Sequence, residues 1–261
     1  MLIIYTCITN DYDWLLPPLW QAKDVKYICF TDRKESVRGW ICKSISSSLA
    51  GMESNEIARR YKIFPEKYLP KHDWSLWVDG NVIVLKNVSS IIKDLEKNLV
   101  FFASSKHPIR NNIWEERRVC IEKGKIKDYE ISLINDQVQF YQDEGLTLES
   151  GLTENGVLFR KYGVESLRSA MELWWDQYQE FTKRDQISLP YVLYKKNICV
   201  YLLPSFKQGH NKFFKKVSHK THGKLKLINY IDTHRLHNKI CCYIHIVIEH
   251  LYQLKQSFKK T

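Results

Sequence analysis

Residues 75–84 read Ser-Leu-Trp-Val-Asp-Gly-Asn-Val-Ile-Val, two apolar runs hinged on Asp79-Gly80-Asn81. Short, nearly continuous apolar runs mark strands buried on both faces of a parallel sheet. Such a sheet needs helices to cover it, so this stretch predicts an α/β fold. An acidic turn at the carboxyl end of a strand lies where α/β sheets bind ligands. Asp79 and Asn81 flank a glycine, a spacing that can hold a hard divalent ion shared with phosphate oxygens. Alone, Asp-Gly-Asn is also an ordinary turn.

The pattern around it agrees with α/β. Residues 2–7, 26–30 and 40–45 read as strands, and 53–64 as a helix with Ser54 as N-cap and Pro65 near its end. Residues 76–78 form the strand that delivers Asp79. Helices are expected over 88–98, 112–124, 131–143, 164–181 and 184–195, with strands at 99–103 and 156–160. Residues 240–254 read as a last helix, broken by His245, Glu249, His250 and Gln253. A chain of 261 residues with 44% apolar side chains suits one large domain with an extension. We place the domain at 1–206 and a basic extension at 207–261.

Charge supports that division. The net +11 is uneven: from Lys207 onward there are twelve Lys/Arg against two acids, while 1–206 carries 28 basic and 27 acidic side chains. A basic tail attracts anionic lipid, nucleic acid or a phosphate-bearing substrate. The neutral body and the lack of a recognition motif argue against a nucleic-acid binder. The odd count of seven Cys, without Cys-x-x-Cys, reads as free thiols in a reducing compartment. The first residues read as a strand rather than a leader peptide, and no stretch reaches the ~20 apolar residues of a bilayer span. These features predict a cytoplasmic protein, peripheral at the inner face of the cell membrane through its tail. Packing of the last helix on the body is the competing reading.

Several local groups could carry chemistry. The turn after the first strand offers Thr6 and Thr9, and the second strand ends at Asp32, which suits a ribose hydroxyl or a base N–H. Arg59, Arg60 and Lys62 on one helix could neutralise a diphosphate, although Arg60 lies to one side of the other two. His107 and Arg110 follow a buried strand, and Glu154 and Asn155 precede another. Arg184-Asp185-Gln186 places an acid between a guanidinium and an amide, which suits a base, a sugar-orienting carboxylate or a capped helix start. His219 and His222 sit in a Lys-rich loop, where a neutral imidazole could complete a metal site.

In order along the chain, the segments YTCITNDYD, YICFTD, ARRYKIFP, SLWVDGN, KHPIRNNIWEE, ESGLTENGVLFR and RDQISL resemble a glycosyltransferase-like family first described as a domain of unknown function. Its members include plant proteins linked to mucilage and turgor and bacterial proteins from polysaccharide loci. The resemblance implies a GT-A-like, Rossmann-type mixed sheet flanked by helices, binding a nucleotide-sugar, often with Mn²⁺ or Mg²⁺. Asp79 and Asn81 then stand in an Asp-x-Asp metal motif, with His219 and His222 as candidate further ligands. Asn81 is neutral where many such enzymes have Asp, so weak metal use, or none, stays open. The resemblance puts Thr6, Thr9, Asp32 and Lys62 at the nucleotide, and His107, Arg110, Glu154, Asn155 and Gln186 at the sugar or acceptor. Asp185 becomes the late acid: a base if transfer inverts the sugar carbon, a positioning group if it retains. The implied reaction moves a hexose, perhaps of galactose type, from a UDP-sugar to a hydroxyl of a surface polysaccharide or lipid-linked glycan. A non-catalytic nucleotide-sugar or nucleic-acid binding protein is the alternative. A lipid-amide hydrolase would need a metal or serine centre, and the sequence has neither a His-rich zinc motif nor Gly-x-Ser-x-Gly.

Overall fold

The computed structural model describes residues 1–220 and 226–257. Strands β1 (Leu2–Ile8), β2 (Val25–Thr31) and β3 (Ile41–Ser44) come first, followed by helices α1 (Ser54–Ile63) and α2 (Pro65–Tyr68). Strands β4 (Trp74–Val78) and β5 (Val82–Val84) flank the Asp79 turn, and α3 (Ser89–Lys97) leads to β6 (Phe102–Lys106). Helices α4 (Ile113–Glu122) and α5 (Ile131–Asp143) precede β7 (Thr153–Lys161), α6 (Glu165–Glu180) and α7 (Asp185–Lys195). The chain continues through β8 (Val200–Leu203), β9 (Phe214–Lys216), α8 (Lys226–His234) and α9 (Lys239–Ser257).

Seven strands form one sheet in the order β3-β2-β1-β4-β7-β6-β8. β1, β2, β3 and β4 pair in parallel, and β7 runs antiparallel to both β4 and β6. The sheet is therefore mixed and flanked by helices, as the resemblance implied. Every residue of β1 and β4 is buried, which is why those runs are apolar throughout. Their side chains alternate between two cores. Ile3, Tyr5 and Trp77 face one built with α1, α4, α5, α6 and α7, while Leu2, Ile4, Leu76 and Val78 face another that includes α3 residues and Phe214.

The structure departs from the sequence reading at three places. The strand expected at 99–103 begins at Phe102. Leu99 instead takes a left-handed φ of 53° and closes α3, with Val100 N–H bonding the Leu95 carbonyl at 3.0 Å. Ser54 is not the N-cap of α1: Glu53 holds that position, without a side-chain cap. The segment from Lys207, expected to begin an extension, starts by packing into the body. β9 pairs with β5, and Phe206 and Phe214 are buried in the same core as β4.

Candidate functional site at the carboxyl edge of the sheet

Lys62, on the last turn of α1, is 1% exposed. Its ammonium lies 2.7 Å from Asp185 Oδ2 and 3.5 Å from Asp79 Oδ1. These carboxylates come from the first residue of α7 and the turn after β4. A buried lysine thus joins two acids that lie far apart in sequence. Arg59, one helical turn back on the same face, reaches Asp185 Oδ2 at 3.4 Å. Arg60 turns away and lies over the rings of Trp175 and Phe64.

The two acids are held ionised. Burial alone would raise the carboxyl of Asp185, but Arg59 and Lys62 outweigh it and keep it below the ordinary carboxylate range. At Asp79 burial is likewise overcome, by Lys62, Arg59 and the indole N–H of Trp77, which donates to Asp79 Oδ1 at 2.8 Å. Two glycines make room here. A Cβ on Gly156 would stand 3.2 Å from Asp79 Oδ2, and one on Gly80 would stand 2.6 Å from Asp13 Oδ2.

The neighbouring residues lock α7 in place. Asn155 Nδ2 and Trp174 Nε1 donate to the Asp185 carbonyl at 3.1 and 3.2 Å. Thr153 Oγ1 donates to Asn155 Oδ1 at 2.8 Å, and Gln186 Nε2 donates to the Thr153 carbonyl at 3.1 Å. Asn155 and Gln186, expected at the sugar or acceptor, donate instead to the backbone carbonyls of Asp185 and Thr153.

A cavity of about 490 Å³ opens between the β1 turn, the start of α1 and the end of β4. Thr9, Asp13, Arg59, Trp77, Asp79 and His219 are among its lining residues. It lies at the carboxyl ends of parallel strands, where α/β sheets take their ligands. Thr9 Oγ1 is spent on the Ser54 carbonyl at 3.1 Å. Thr6 Oγ1 is buried without a hydrogen-bond partner, and Thr6 lines a smaller adjoining cavity with Asp79 and Gly80. Asp32 is exposed and accepts from Asn10 N–H at 2.8 Å, supporting the left-handed Asn10-Asp11 turn.

Other expected site residues serve the framework. His107 is buried, and its Nδ1 accepts from the N–H groups of Ile109 and Arg110 at 3.2 and 2.8 Å. Burial, with Arg110 nearby, pushes its pKa down, which suits an imidazole used as a turn cap. Arg110 pairs with the fully buried Glu116. Glu154 pairs with Lys216 of β9, and its other oxygen is buried without a partner.

Of the expected metal ligands, Asn81 and His219 lie side by side, and Asp79 and His219 line the same cavity. Asn81 Nδ2 donates to the Val217 carbonyl at 2.9 Å and lies 3.4 Å from His219 Nε2. A carbonyl only accepts, so the amide nitrogen must face it. Asn81 Oδ1 is then left buried and unpartnered on the other side. His219 Nδ1 is taken by Asp13 Oδ1 at 2.8 Å. His222 lies outside the described residues. Among the described residues no three His, Cys, Asp or Glu side chains cluster around a possible ion. Asn81 instead fastens the 217–219 segment over the site, helped by Val217 N–H bonding the Asn81 carbonyl at 2.8 Å.

From sequence, Arg59 reads as part of a diphosphate-neutralising group with Arg60 and Lys62, whereas Asp13 is given no role. The three-residue spacing of Arg59 and Lys62 was a usable signal. Asp13 gave none, because its partner lies 206 positions away.

A mixed Rossmann-type sheet with charged groups gathered at its carboxyl edge defines an α/β ligand-binding domain. The chain belongs to the family described as TOD1/MUCI70, glycosyltransferase-like domain, which it matches over residues 50–220. It is 30% identical over 137 residues to the probable hexosyltransferase MUCI70 of Arabidopsis thaliana, a stretch covering 49% of this chain and 23% of that protein. The chain thus spans under a quarter of that relative. Among solved structures, mouse xyloside xylosyltransferase 1 is 8% identical with a TM-score of 0.46, covering 77% of this chain and 84% of that one. The galactosyltransferase LgtC, in complex with donor and acceptor sugar analogs, is 12% identical with a TM-score of 0.43, covering 77% and 73%.

Proposed function

We propose that this protein is a glycosyltransferase that moves a hexose from a nucleoside-diphosphate donor to a hydroxyl of a glycan acceptor. Family membership gives the class, and the choice of a hexose is supported by the relative named as a probable hexosyltransferase. The observation that carries the reading is the Lys62–Asp185–Asp79 cluster, with Arg59 beside it on the wall of the 490 Å³ cavity. In this reading the donor diphosphate lies against Arg59, whose guanidinium offsets charge on the leaving group. Lys62 is too deep to meet the donor and instead fixes both carboxylates.

Asp185 orients the donor sugar rather than taking a proton. A carboxylate gripped by two cations has lost basicity. We therefore favour retention. The bond from the sugar carbon to the diphosphate oxygen breaks, the bond to the acceptor oxygen forms, and the acceptor proton passes to the leaving phosphate. This step is written without a metal: Asn81 Nδ2 is spent on the Val217 carbonyl and His219 Nδ1 on Asp13, which leaves the unpartnered Asn81 Oδ1 as the oxygen a cation would use. UDP-linked hexoses of galactose type are the donors to test first.

The acceptor is read as a surface polysaccharide or lipid-linked glycan at an anionic membrane. Leu227 and Ile228 of α8 and Ile240, Tyr243, Val247 and Leu251 of α9 are exposed, and the tail sequence is basic. Exposed apolar side chains beside basic ones suit the interface of an anionic bilayer. No described helix is long and apolar enough to cross it. Co-flotation with phosphatidylglycerol vesicles, but not with neutral ones, and its loss in Val247→Asp/Leu251→Asp, is the expected result.

The deciding experiment is a thermal-shift panel of nucleotides and nucleotide-sugars, with Mn²⁺ or with EDTA, on wild type and Asp79→Ala. A bound donor raises the apparent stability of the folded state. Selective stabilisation by one nucleotide-sugar, persisting in EDTA and reduced in Asp79→Ala, is expected, followed by turnover with a glycan acceptor. No shift with any nucleotide removes the donor site. Binding without turnover on any acceptor favours a non-catalytic binder.

A further inference from the structure

At the other end of β4 from Asp79, a second cavity of about 220 Å³ is lined by Arg160, Ser75, His72, Lys67, Lys161 and Arg168, among others. Its apolar wall includes Phe64, Leu167 and Met171. Arg160 is 3% exposed and belongs to β7, opposite Ser75 in the sheet. A buried guanidinium is costly unless it is paired. Among the described residues Arg160 has no carboxylate within ion-pair distance. Its contacts are the Ile63 carbonyl and the Met171 sulfur, both at 3.4 Å, and the Tyr5 hydroxyl. Tyr5 gives no countercharge, because burial pushes its phenol up to about 12 and keeps it neutral.

The surroundings add positive charge. Four cationic side chains line the cavity; Lys161 pairs with Glu96 and Arg168 with Glu66 and Glu165, while Arg160 and Lys67 have no carboxylate partner among the described residues. Glu66 is already committed to Arg168 at 3.2 Å and to Gly163 N–H at 2.7 Å. His72 Nδ1 donates to the Pro70 carbonyl at 2.7 Å, so its buried, unpartnered Nε2 is an acceptor and takes no part in holding an anion. An apolar pocket with a few convergent polar groups is the usual form of a small-ligand site, and guanidinium favours oxyanions.

We propose that this cavity binds a small oxyanion, a carboxylate or phosphate with an apolar body, held by Arg160 at the end of the sheet remote from the donor cavity. The site does not depend on the donor reading.

The test uses the full chain. Benzoate, phenyl phosphate and inorganic phosphate are titrated calorimetrically, with benzyl alcohol as the uncharged control. Saturable binding of benzoate or phenyl phosphate is expected, with none for benzyl alcohol. The two probes separate a carboxylate from a phosphate preference. Arg160→Met should weaken binding by about tenfold or more, the usual effect of losing a hydrogen bond to a charged group. Should Arg160→Met fail to fold, Lys67→Gln/Arg168→Gln changes only the rim and should weaken binding several-fold. Asp79→Ala should leave the affinity unchanged. The proposal is overturned if no oxyanion saturates the protein, if neither set of variants weakens binding, or if Asp79→Ala abolishes it.

Discussion

Lys62→Met is the sharpest test of the charge cluster. The change keeps the length and apolar stem of the side chain and removes only the ammonium. The side chain is 2% exposed, and its ammonium lies 2.7 Å from Asp185 and 3.5 Å from Asp79. Removing one partner from a buried ion pair costs about 3–5 kcal/mol, because the other charge is left without compensation. Arg59 still reaches Asp185 at 3.4 Å, so the loss should fall near the lower end, about 3 kcal/mol. For a protein of this size that lowers Tm by roughly 6–12 °C. The pH dependence has a definite sign. In the wild type both carboxyls sit below their ordinary value. Their stabilisation is therefore present above an unfolded pKa of about 3.9 and is lost as pH falls through the folded value. In the variant, burial acts without Lys62 and the folded pKa values rise. Protonation then relieves the variant as pH drops, so the gap from wild type should be widest at neutral pH and shrink towards about pH 4. Urea unfolding at both pH values measures this, and Lys62→Met/Asp185→Asn should recover part of the loss. A loss under about 1 kcal/mol at neutral pH, or a gap that does not narrow with acid, would refute a buried cation bridging two acids.

Three further outcomes follow from the same geometry. Asn81→Asp restores the acid of an Asp-x-Asp motif on paper, yet it sets a carboxylate against the Val217 carbonyl. It should destabilise by about 1–3 kcal/mol without tightening Mn²⁺ binding, and a tenfold gain in Mn²⁺ affinity by titration would reinstate Asn81 as a ligand position. Gly80→Ala puts a Cβ 2.6 Å from Asp13 Oδ2. Overpacking of this kind costs about 1–3 kcal/mol, and nucleotide titration should show weaker donor binding while circular dichroism still shows a folded chain. Because Arg59 and Lys62 keep Asp185 ionised, the kcat/KM profile should have no acidic limb belonging to Asp185 between about pH 5 and 8. Such a limb, abolished in Asp185→Asn, would make Asp185 the base of an inverting enzyme.

The central sheet was legible because its strands are buried on both faces. β1, β2 and β4 are apolar runs with no competing helical period, and the Asp79 turn follows from the run that ends at Val78. The short strands were not legible. β5 and β9 have three residues each, too few for a period to register. Leu99 looked like a strand residue because it is apolar, but the register of α3 made it the left-handed closing residue instead. At the site, residue type pointed to the right neighbourhood more often than to the right role. Lys62, Asp79 and Asp185 do meet. Asn81, His107 and Arg110 carry equally suggestive side chains, yet each satisfies a nearby backbone group or buried acid. A polar residue near a sheet edge must first satisfy the backbone around it, and the sequence does not show which backbone groups are left over.

The fastening of His219 has a consequence for how the protein is made. One wall of the 490 Å³ cavity is closed by His219, which bonds Asp13 and lies 3.4 Å from Asn81, across 206 and 138 positions. Contacts of such separation form late, and a chain grows from its N-terminus. Strands β1 to β4 can leave the ribosome and begin to pair long before β9 exists. The cavity stays open along that side until residue 219 has emerged and β9 has joined β5. A product cut short between β8 and β9 would keep all seven strands of the main sheet and still lack a finished cavity at its carboxyl edge.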